Sequence, residues 1–190
     1  MKEKIFSRIM LAMLLALVGF GFTACGGDDN DEPDTPDTNA TWTGMYQISF
    51  EIGEDVLSTA DVTVHIANPD GTFTSQAVTK SQNIWKSTDS KTPLPQKAGA
   101  ILTFVPKQNI DASKTYQFKV NASLSAASYK DGKLVHSNSS GHNFHKAVAG
   151  NEMHDYLLNH PAGVAIGIDA KGEVTALDVK DFDFGINFVF

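Results

Sequence analysis

Residues 42 to 52 read Trp42-Thr43-Gly44-Met45-Tyr46-Gln47-Ile48-Ser49-Phe50-Glu51-Ile52, and this run sets the class of fold. Every second position, counted from Trp42, is apolar or glycine, and most of the positions between are polar. Side chains on a β-strand alternate between two faces, whereas those on an α-helix repeat about every 3.6 residues. The run therefore predicts a long strand with one buried face. Trp42 keeps the phase of Tyr46 and Ile48, so we expect it in the core.

The same alternation recurs along the chain. It covers Val62 to Ile66, and it is longest from Tyr116 to Ala126. Turn sequences at 68–71 and 129–133 combine glycine with proline or aspartate, as is typical of hairpin turns, and a third turn is expected at Ala170-Lys171-Gly172. The other strands that we expect are one through Phe73, Ala100 to Val105, Leu134 to about Ser139, Val164 to Asp169, Glu173 to Val179, and a closing strand with Phe182, Phe184, Ile186, Phe188 and Phe190 on one face.

Two regions are expected to depart from strand structure. Residues 80 to 98 are polar and contain two prolines, which predicts a connection with at most a short strand. A single helix is expected from about Glu152 to Asn159, with Asn151 as its N-cap and Pro161 ending it.

Many short strands with one helix predict an all-β fold, an antiparallel β-sandwich formed by residues 41 to 190 as one domain. Leu102–Pro106 and the following segment Ile110–Val120 resemble the paired strands of bacterial immunoglobulin-like and fibronectin-type domains. This resemblance implies an immunoglobulin-like sandwich with one short helix. A lipocalin-like β-barrel is the alternative, because a meander of strands would give the same pattern.

The amino terminus predicts export. A basic start at Lys2, Lys4 and Arg8 precedes an apolar run, Ile9–Phe22, that is too short to span a bilayer. Cys25, the only cysteine, stands directly after Ala24, and the region resembles a bacterial lipobox. That resemblance implies a lipoprotein signal peptide over residues 1–24 and acyl chains, palmitate among them, on Cys25, which would anchor the chain to a membrane.

Residues 25 to 40 are acidic and rich in Thr, Pro and Gly, which predicts a flexible tether. Together with Cys25 they resemble the export tail of small Bacteroidetes-type surface lipoproteins. The resemblance implies an outer-membrane protein exposed at the cell surface. The chain has a net charge of −7, and its only arginine is Arg8. Because arginine and positive charge favour phosphate binding, we do not expect a nucleic acid or an anionic lipid as partner.

Five of the six histidines lie between His136 and His160. Imidazoles are common ligands of metals and haem, so His142, His145 and His154 are candidate ligands. In a strand, however, His142 and His145 would point to opposite faces. Exposed histidines without a ligand are the simpler interpretation.

Two further features bear on function. Trp85 stands in a polar stretch, where it could form a platform for a sugar ring or a buried plug at one end of the sandwich. Asp181 and Asp183 would share a strand face about 7 Å apart, a spacing also found in carboxylate pairs of glycosidases. They would lie on the solvated side, and no catalytic motif is present elsewhere. An enzyme is therefore not expected.

These observations favour a lipid-anchored surface lipoprotein. Its non-catalytic β-domain would bind an extracellular glycan or protein, without a cofactor and as a monomer. One alternative is a surface lipoprotein that captures haem or a metal with the His136 to His160 cluster. Another is a purely structural component of the cell envelope.

Overall fold

The structure, a computed structural model, describes residues 40–89 and 91–186. The proposed signal peptide, Cys25 and nearly all of the tether lie outside the described residues, as do Phe188 and Phe190. The strands are β1 (Trp42–Ile52), β2 (Ala60–Ala67), β3 (Phe73–Val78), β4 (Gln82–Asp89), β5 (Gln96–Pro106), β6 (Thr115–Lys130), β7 (Lys133–Ala149), β8 (Ala162–Ile168) and β9 (Val174–Ala176). The helices are α1 (Glu54–Thr59), α2 (Gly150–Asn159) and a 3-10 turn, Val179–Asp181.

The strands form two antiparallel sheets. The first has the order β4-β1-β6-β7, and the second has the order β3-β2-β5-β8-β9. The predicted β-sandwich is therefore confirmed, and the described strands do not close into the alternative barrel. Strand β1 pairs with β4 in the first sheet, and β2 pairs with β5 in the second. In this chain β6, a later strand, occupies the remaining side of β1.

The core lies between the two sheets and follows the predicted alternation. In β1 the side chains of Tyr46, Ile48, Phe50 and Ile52 are buried, and those between them are partly exposed. Phe118 of β6 is 0 % exposed and makes edge-on contacts with Phe104 of the second sheet. It also contacts Tyr156 of α2, with ring centroids 5.0 Å apart. Helix α2 therefore covers one end of the core.

One polar side chain is built into this core. Gln96 is 2 % exposed, and its Oε1 accepts a hydrogen bond of 2.7 Å from the Tyr46 hydroxyl. Its Nε2 donates to the carbonyl oxygen of Thr92 at 2.6 Å. The buried amide is thus bonded at both ends, which removes the cost of burying it unpaired.

The predicted helix is present, but its start differs from the prediction. The N-cap is Ala149 rather than Asn151, and no side chain caps the helix. The N–H of Gly150 instead donates to the carbonyl oxygen of Lys114 at 2.7 Å, so backbone from another segment satisfies it. Helix α1 was not predicted. Neither helix, nor any other in the described ranges, has the length and apolar character needed to cross a membrane.

Several strands are longer than predicted, and β4 and β7 differ most, whereas β9 is shorter than the predicted Glu173 to Val179. The region 80–98 was predicted to be a connection with at most a short strand, but it contains β4, whose eight residues all pair with β1 in antiparallel register. The return strand predicted to end near Ser139 continues to Ala149 and pairs with β6 throughout. Both strands lie at an edge of the first sheet.

The predicted closing strand is wrong for the residues described. The chain instead forms the 3-10 turn Val179–Asp181, and no strand follows it up to Ile186. Gly185 has a φ of 72°, and its N–H donates to Oδ1 of Asp183 at 2.7 Å. A tight turn therefore interrupts the extended run that the aromatic alternation had predicted.

Residues 177–186, here called the C-terminal segment, cover the outer face of the second sheet. Phe184 is 1 % exposed and packs with Ile101 and Ala165 in a small second core. Gly99 of β5 makes room for this contact, since a Cβ there would lie 3.0 Å from the Phe184 ring. The aromatic side chain is buried as expected, but outside the sandwich rather than between its sheets.

Trp42 also differs from its prediction. It is half-buried and does not belong to the main core. Its ring lies against Gly172 in the turn between β8 and β9, where a Cβ would collide with it. Gly172 has a φ of 83°, so this turn requires glycine for its backbone as well.

Candidate functional site

The sandwich has a groove at each of its two open sides. At one side, edge strands β4 and β3 face each other, and Trp85 Nε1 donates to Gln76 Oε1 across the gap at 3.1 Å. At the other side, β7 faces β9, and Asn138 Nδ2 donates to the carbonyl oxygen of Val174 at 3.0 Å. Each pair of edges is therefore joined by a side chain, with a groove beside it.

The first groove, called the Trp85 groove, has a volume of about 230 Å³. Its apolar lining comes from both sheets and includes Ile48, Ile66, Trp85 and Ala98. Uncharged polar residues also line it, namely Asn68, Thr74 and Ser87. The combination of an apolar wall with a few polar groups is typical of sites for small ligands.

Strand β4 determines how Trp85 is presented. Trp85 pairs with Ile48 of β1, so it lies on the inward face of the sheet. Its ring meets that of Phe50 edge-on, with centroids 6.0 Å apart. The indole N–H already donates to Gln76. Trp85 therefore contributes the apolar surface of its ring to the groove, and not a hydrogen-bond donor. Trp85 is half-buried, which falls between the exposed platform and the buried plug considered from the sequence.

The second groove, called the His142 groove, has a volume of about 260 Å³. It runs between β7 residues Ser140 to Phe144 on one side and β8 together with residues 177–180 on the other. The His142 ring stacks flat on Phe144, with centroids 4.4 Å apart. One wall of this groove is therefore formed by the Phe144 ring and the His142 imidazole stacked on it.

The structure separates the histidines that were candidate metal ligands. His142 and His145 lie on opposite faces of β7, as strand geometry predicts. His154 is on α2, with Nδ1 3.2 Å from Asp155. Nδ1 of His160 donates to the carbonyl oxygen of Tyr156, and His136 is exposed. Across residues 40–89 and 91–186, no three His, Cys, Asp or Glu side chains are grouped so that they could hold a metal ion.

Asp181 and Asp183 do not form the strand pair that the sequence had indicated. Asp181 ends the 3-10 turn, and Asp183 holds the N–H of Gly185. A carboxylate that fixes a turn in this way is a structural element, and the predicted spacing on one strand face is lost.

Sequence reasoning missed one histidine. His65 of β2 lies on the outer face of the second sheet, with Nδ1 2.8 Å from Ser75 Oγ and Nε2 3.0 Å from Thr103 Oγ1. Partial burial lowers the pKa of His65 below its ordinary value of 6.5. Burial thus favours the neutral imidazole, and its two hydrogen bonds link β2 to β3 and β5. Its place on the polar face of β2, in phase with Thr63, was the available signal.

Comparison with known proteins does not assign the chain to a group: no family model matches it, and no curated protein matches its sequence.

Proposed function

We propose that this chain is a lipid-anchored lipoprotein of the outer-membrane surface whose β-sandwich binds an extracellular glycan in the Trp85 groove without catalysing a reaction. One observation carries the proposal. The half-buried Trp85 ring forms part of an apolar groove wall, and residues with hydroxyl and amide groups line the same groove.

The anchor is proposed from the sequence. Cys25 is the only cysteine, it follows the small residue Ala24, and a basic start and a short apolar run precede it. Its side chain is the attachment point for acyl chains in proteins with this pattern. Two or three such chains on one residue hold a protein at a membrane firmly.

The chemistry of the groove supports a neutral glycan. A sugar ring presents C–H groups on its faces and hydroxyls around its edge. Tryptophan offers a large apolar surface to the faces, and Asn68, Thr74 and Ser87 can exchange hydrogen bonds with the edge. Among the described residues of the lining Lys86 alone is charged, and the other polar groups are uncharged.

The size of the groove limits what it can hold. Its volume of about 230 Å³ is below the roughly 300–1,000 Å³ of pockets for drug-sized ligands. We therefore propose that it holds a single ring of a longer glycan.

Retention of labelled glycans on intact cells tests this function. Cells producing the chain are incubated with fluorescent neutral polysaccharides, namely a glucan, a mannan and a galactan. We expect at least one to be retained, and we expect Trp85→Ala to reduce its retention about tenfold or more, because stacking on the ring is lost. Cys25→Ala should also abolish retention, since the chain would leave the cell.

A matched control separates the two parts of the proposal. Trp42→Phe changes the other tryptophan, which lies outside the groove, and should leave retention unchanged. If Cys25→Ala cells retain the protein in their membranes, the anchor is wrong. If the Trp85→Ala variant reaches the surface and still retains the glycan, the binding site is wrong.

A further inference from the structure

The orientation of the Trp85 ring requires an anchor beyond its own strand. Within the described ranges β4 is an edge strand that pairs only with β1, and the neighbours of Trp85 on its inward face are the small polar residues Asn83 and Ser87. The ring packs on the main core and meets Phe50 edge-on. Such packing fixes the depth of the ring, but it does not determine which edge of the indole points across the gap between the sheets.

Gln76 supplies the contact that fixes this edge. It lies on β3, the edge strand of the other sheet, and pairs with Val64 of β2, whose side chain is fully buried. Directly paired residues point to the same side of a sheet, so Gln76 lies on the inward face, toward Trp85. Its Oε1 accepts the indole N–H at 3.1 Å. Since the described parts of β3 and β4 do not pair with each other, this bond crosses from one sheet to the other.

The chemistry of the two groups determines the direction of this bond. An indole N–H can only donate, whereas the amide of a glutamine carries an acceptor oxygen and a donor nitrogen. The atom of Gln76 that faces the indole is therefore the oxygen. An apolar side chain could fill the space beside Trp85, but it could not hold the indole N–H.

This bond determines which part of the indole the Trp85 groove receives. Trp85 lines the groove, and so does Thr74, which lies two residues before Gln76 on the same face of β3. Gln76 itself is outside the lining. The N–H edge of the indole is thus held beside the groove, and the ring surface is left for a ligand. A ring that is fixed before binding loses less conformational entropy when a ligand stacks on it.

We propose that Gln76 is a positioning residue for glycan binding: it holds the indole N–H and so presents the Trp85 ring to the groove, without touching the sugar itself. This inference rests on the proposed function for the identity of the ligand. The hydrogen bond exists in the free chain, however, so its effect on the ring can be measured separately from binding.

Hydrogen exchange of the indole N–H tests the positioning step in the absence of a glycan. The full chain in mild detergent, with Trp42→Phe and isotope-labelled tryptophan, gives one indole signal by NMR, that of Trp85. We expect Gln76→Leu to speed its exchange about fivefold, the ratio that corresponds to one net hydrogen bond. Gln76→Glu keeps an acceptor oxygen and should keep the slow exchange. The matched control is Gln82→Leu, because Gln82 is an exposed glutamine on the opposite face of β4.

Retention of the polysaccharide that the parent chain binds on cells tests the consequence. Gln76→Leu should reduce retention about fivefold, whereas Gln76→Glu and Gln82→Leu should leave it unchanged. Gln76→Ala, which adds no apolar side chain, repeats both measurements if Gln76→Leu does not fold.

The two measurements separate the positioning role from the proposed function. Absence of retention by the parent chain would overturn the proposed function. Indole exchange that neither Gln76→Leu nor Gln76→Ala speeds would overturn the positioning role. Loss of retention in Gln76→Glu with the indole N–H still protected would overturn it too, because Gln76 would then contact the glycan directly.

Discussion

Gly150→Ala is expected to destabilise the chain by about 3 kcal/mol or more, the upper end of the cost of inserting a methyl group into a packed site. Gly150 joins β7 to α2 and is buried. A Cβ there would collide with the carbonyl oxygen of Asp111, and it would lie 2.9 Å from the Asp111 carbonyl carbon and 3.0 Å from Cα of Ala112. These are backbone atoms, which cannot rotate away as a side chain could.

Urea unfolding of the full chain measures this effect, with Gly141→Ala as the matched control. At Gly141 a Cβ would meet only ordinary contacts, at 3.4 Å from Ala122 O and 3.9 Å from Ser123 Cβ. The control should stay within about 0.5 kcal/mol of the parent chain. Equal stability of the two variants would show that the 111–112 backbone does not pack on Gly150 as described.

Phe184→Ala is expected to lower the free energy of unfolding by about 3–5 kcal/mol. Phe184 is 1 % exposed, although it lies on the outer face of the second sheet. It packs against Ile101, and its ring lies 4.8 Å from that of Phe182. Removing it would leave a cavity under the C-terminal segment and expose apolar surface of β5 and β8.

The matched control removes an exposed apolar side chain. Leu158 of α2 is 52 % exposed, so Leu158→Ala should change stability by no more than about 0.5 kcal/mol. Thermal or urea unfolding of both variants gives the comparison. If Phe184→Ala costs no more than Leu158→Ala, the C-terminal segment is not held on the sheet by this contact.

Strands with one buried face were predictable because burial imposes the alternation. In β1 and β6 most core-facing side chains are apolar and most of the residues between them are polar, which also fixes the register. The turn at Asn68 was predictable for a local reason. Gly71 has a φ of 78°, and its N–H donates to the Asn68 carbonyl, as the turn sequence requires.

The sequences of the edge strands β4 and β7 do not show this alternation of apolar and polar residues. β7 is exposed on both faces over most of its length, so its polar run from Ser137 to Asn143 reads like a loop. β4 has Trp85 packed inward, and its neighbour Ile84 is 51 % exposed. These strands exist because their backbones pair with β6 and β1. Backbone pairing leaves little trace in the sequence of an edge strand.

In the C-terminal segment the sequence predicted a strand that the structure does not contain. The alternation of Phe182, Phe184 and Ile186 predicted a strand, but alternation reports only an extended chain with one covered side. Here the covering surface is the outer face of the second sheet, and the glycine at 185 makes a turn. Sequence pattern cannot distinguish the outer face of a sheet from the inner one.

The candidate site was only partly predictable. Trp85 was conspicuous because it stands in a polar stretch. Its opposite wall comes from Ile66 and Ala98 of the other sheet and from Asn68 in the turn after β2, which are brought close only by the fold.

The most direct test of glycan binding is a fluorescence titration of Trp85. The chain has two tryptophans, so Trp42→Phe leaves Trp85 as the only one. We predict that a neutral oligosaccharide of glucose, mannose or galactose changes Trp85 emission saturably, because a sugar ring would replace water on the indole face. Emission that stays unchanged with all three, at concentrations up to the solubility of each sugar, would contradict glycan binding in the Trp85 groove.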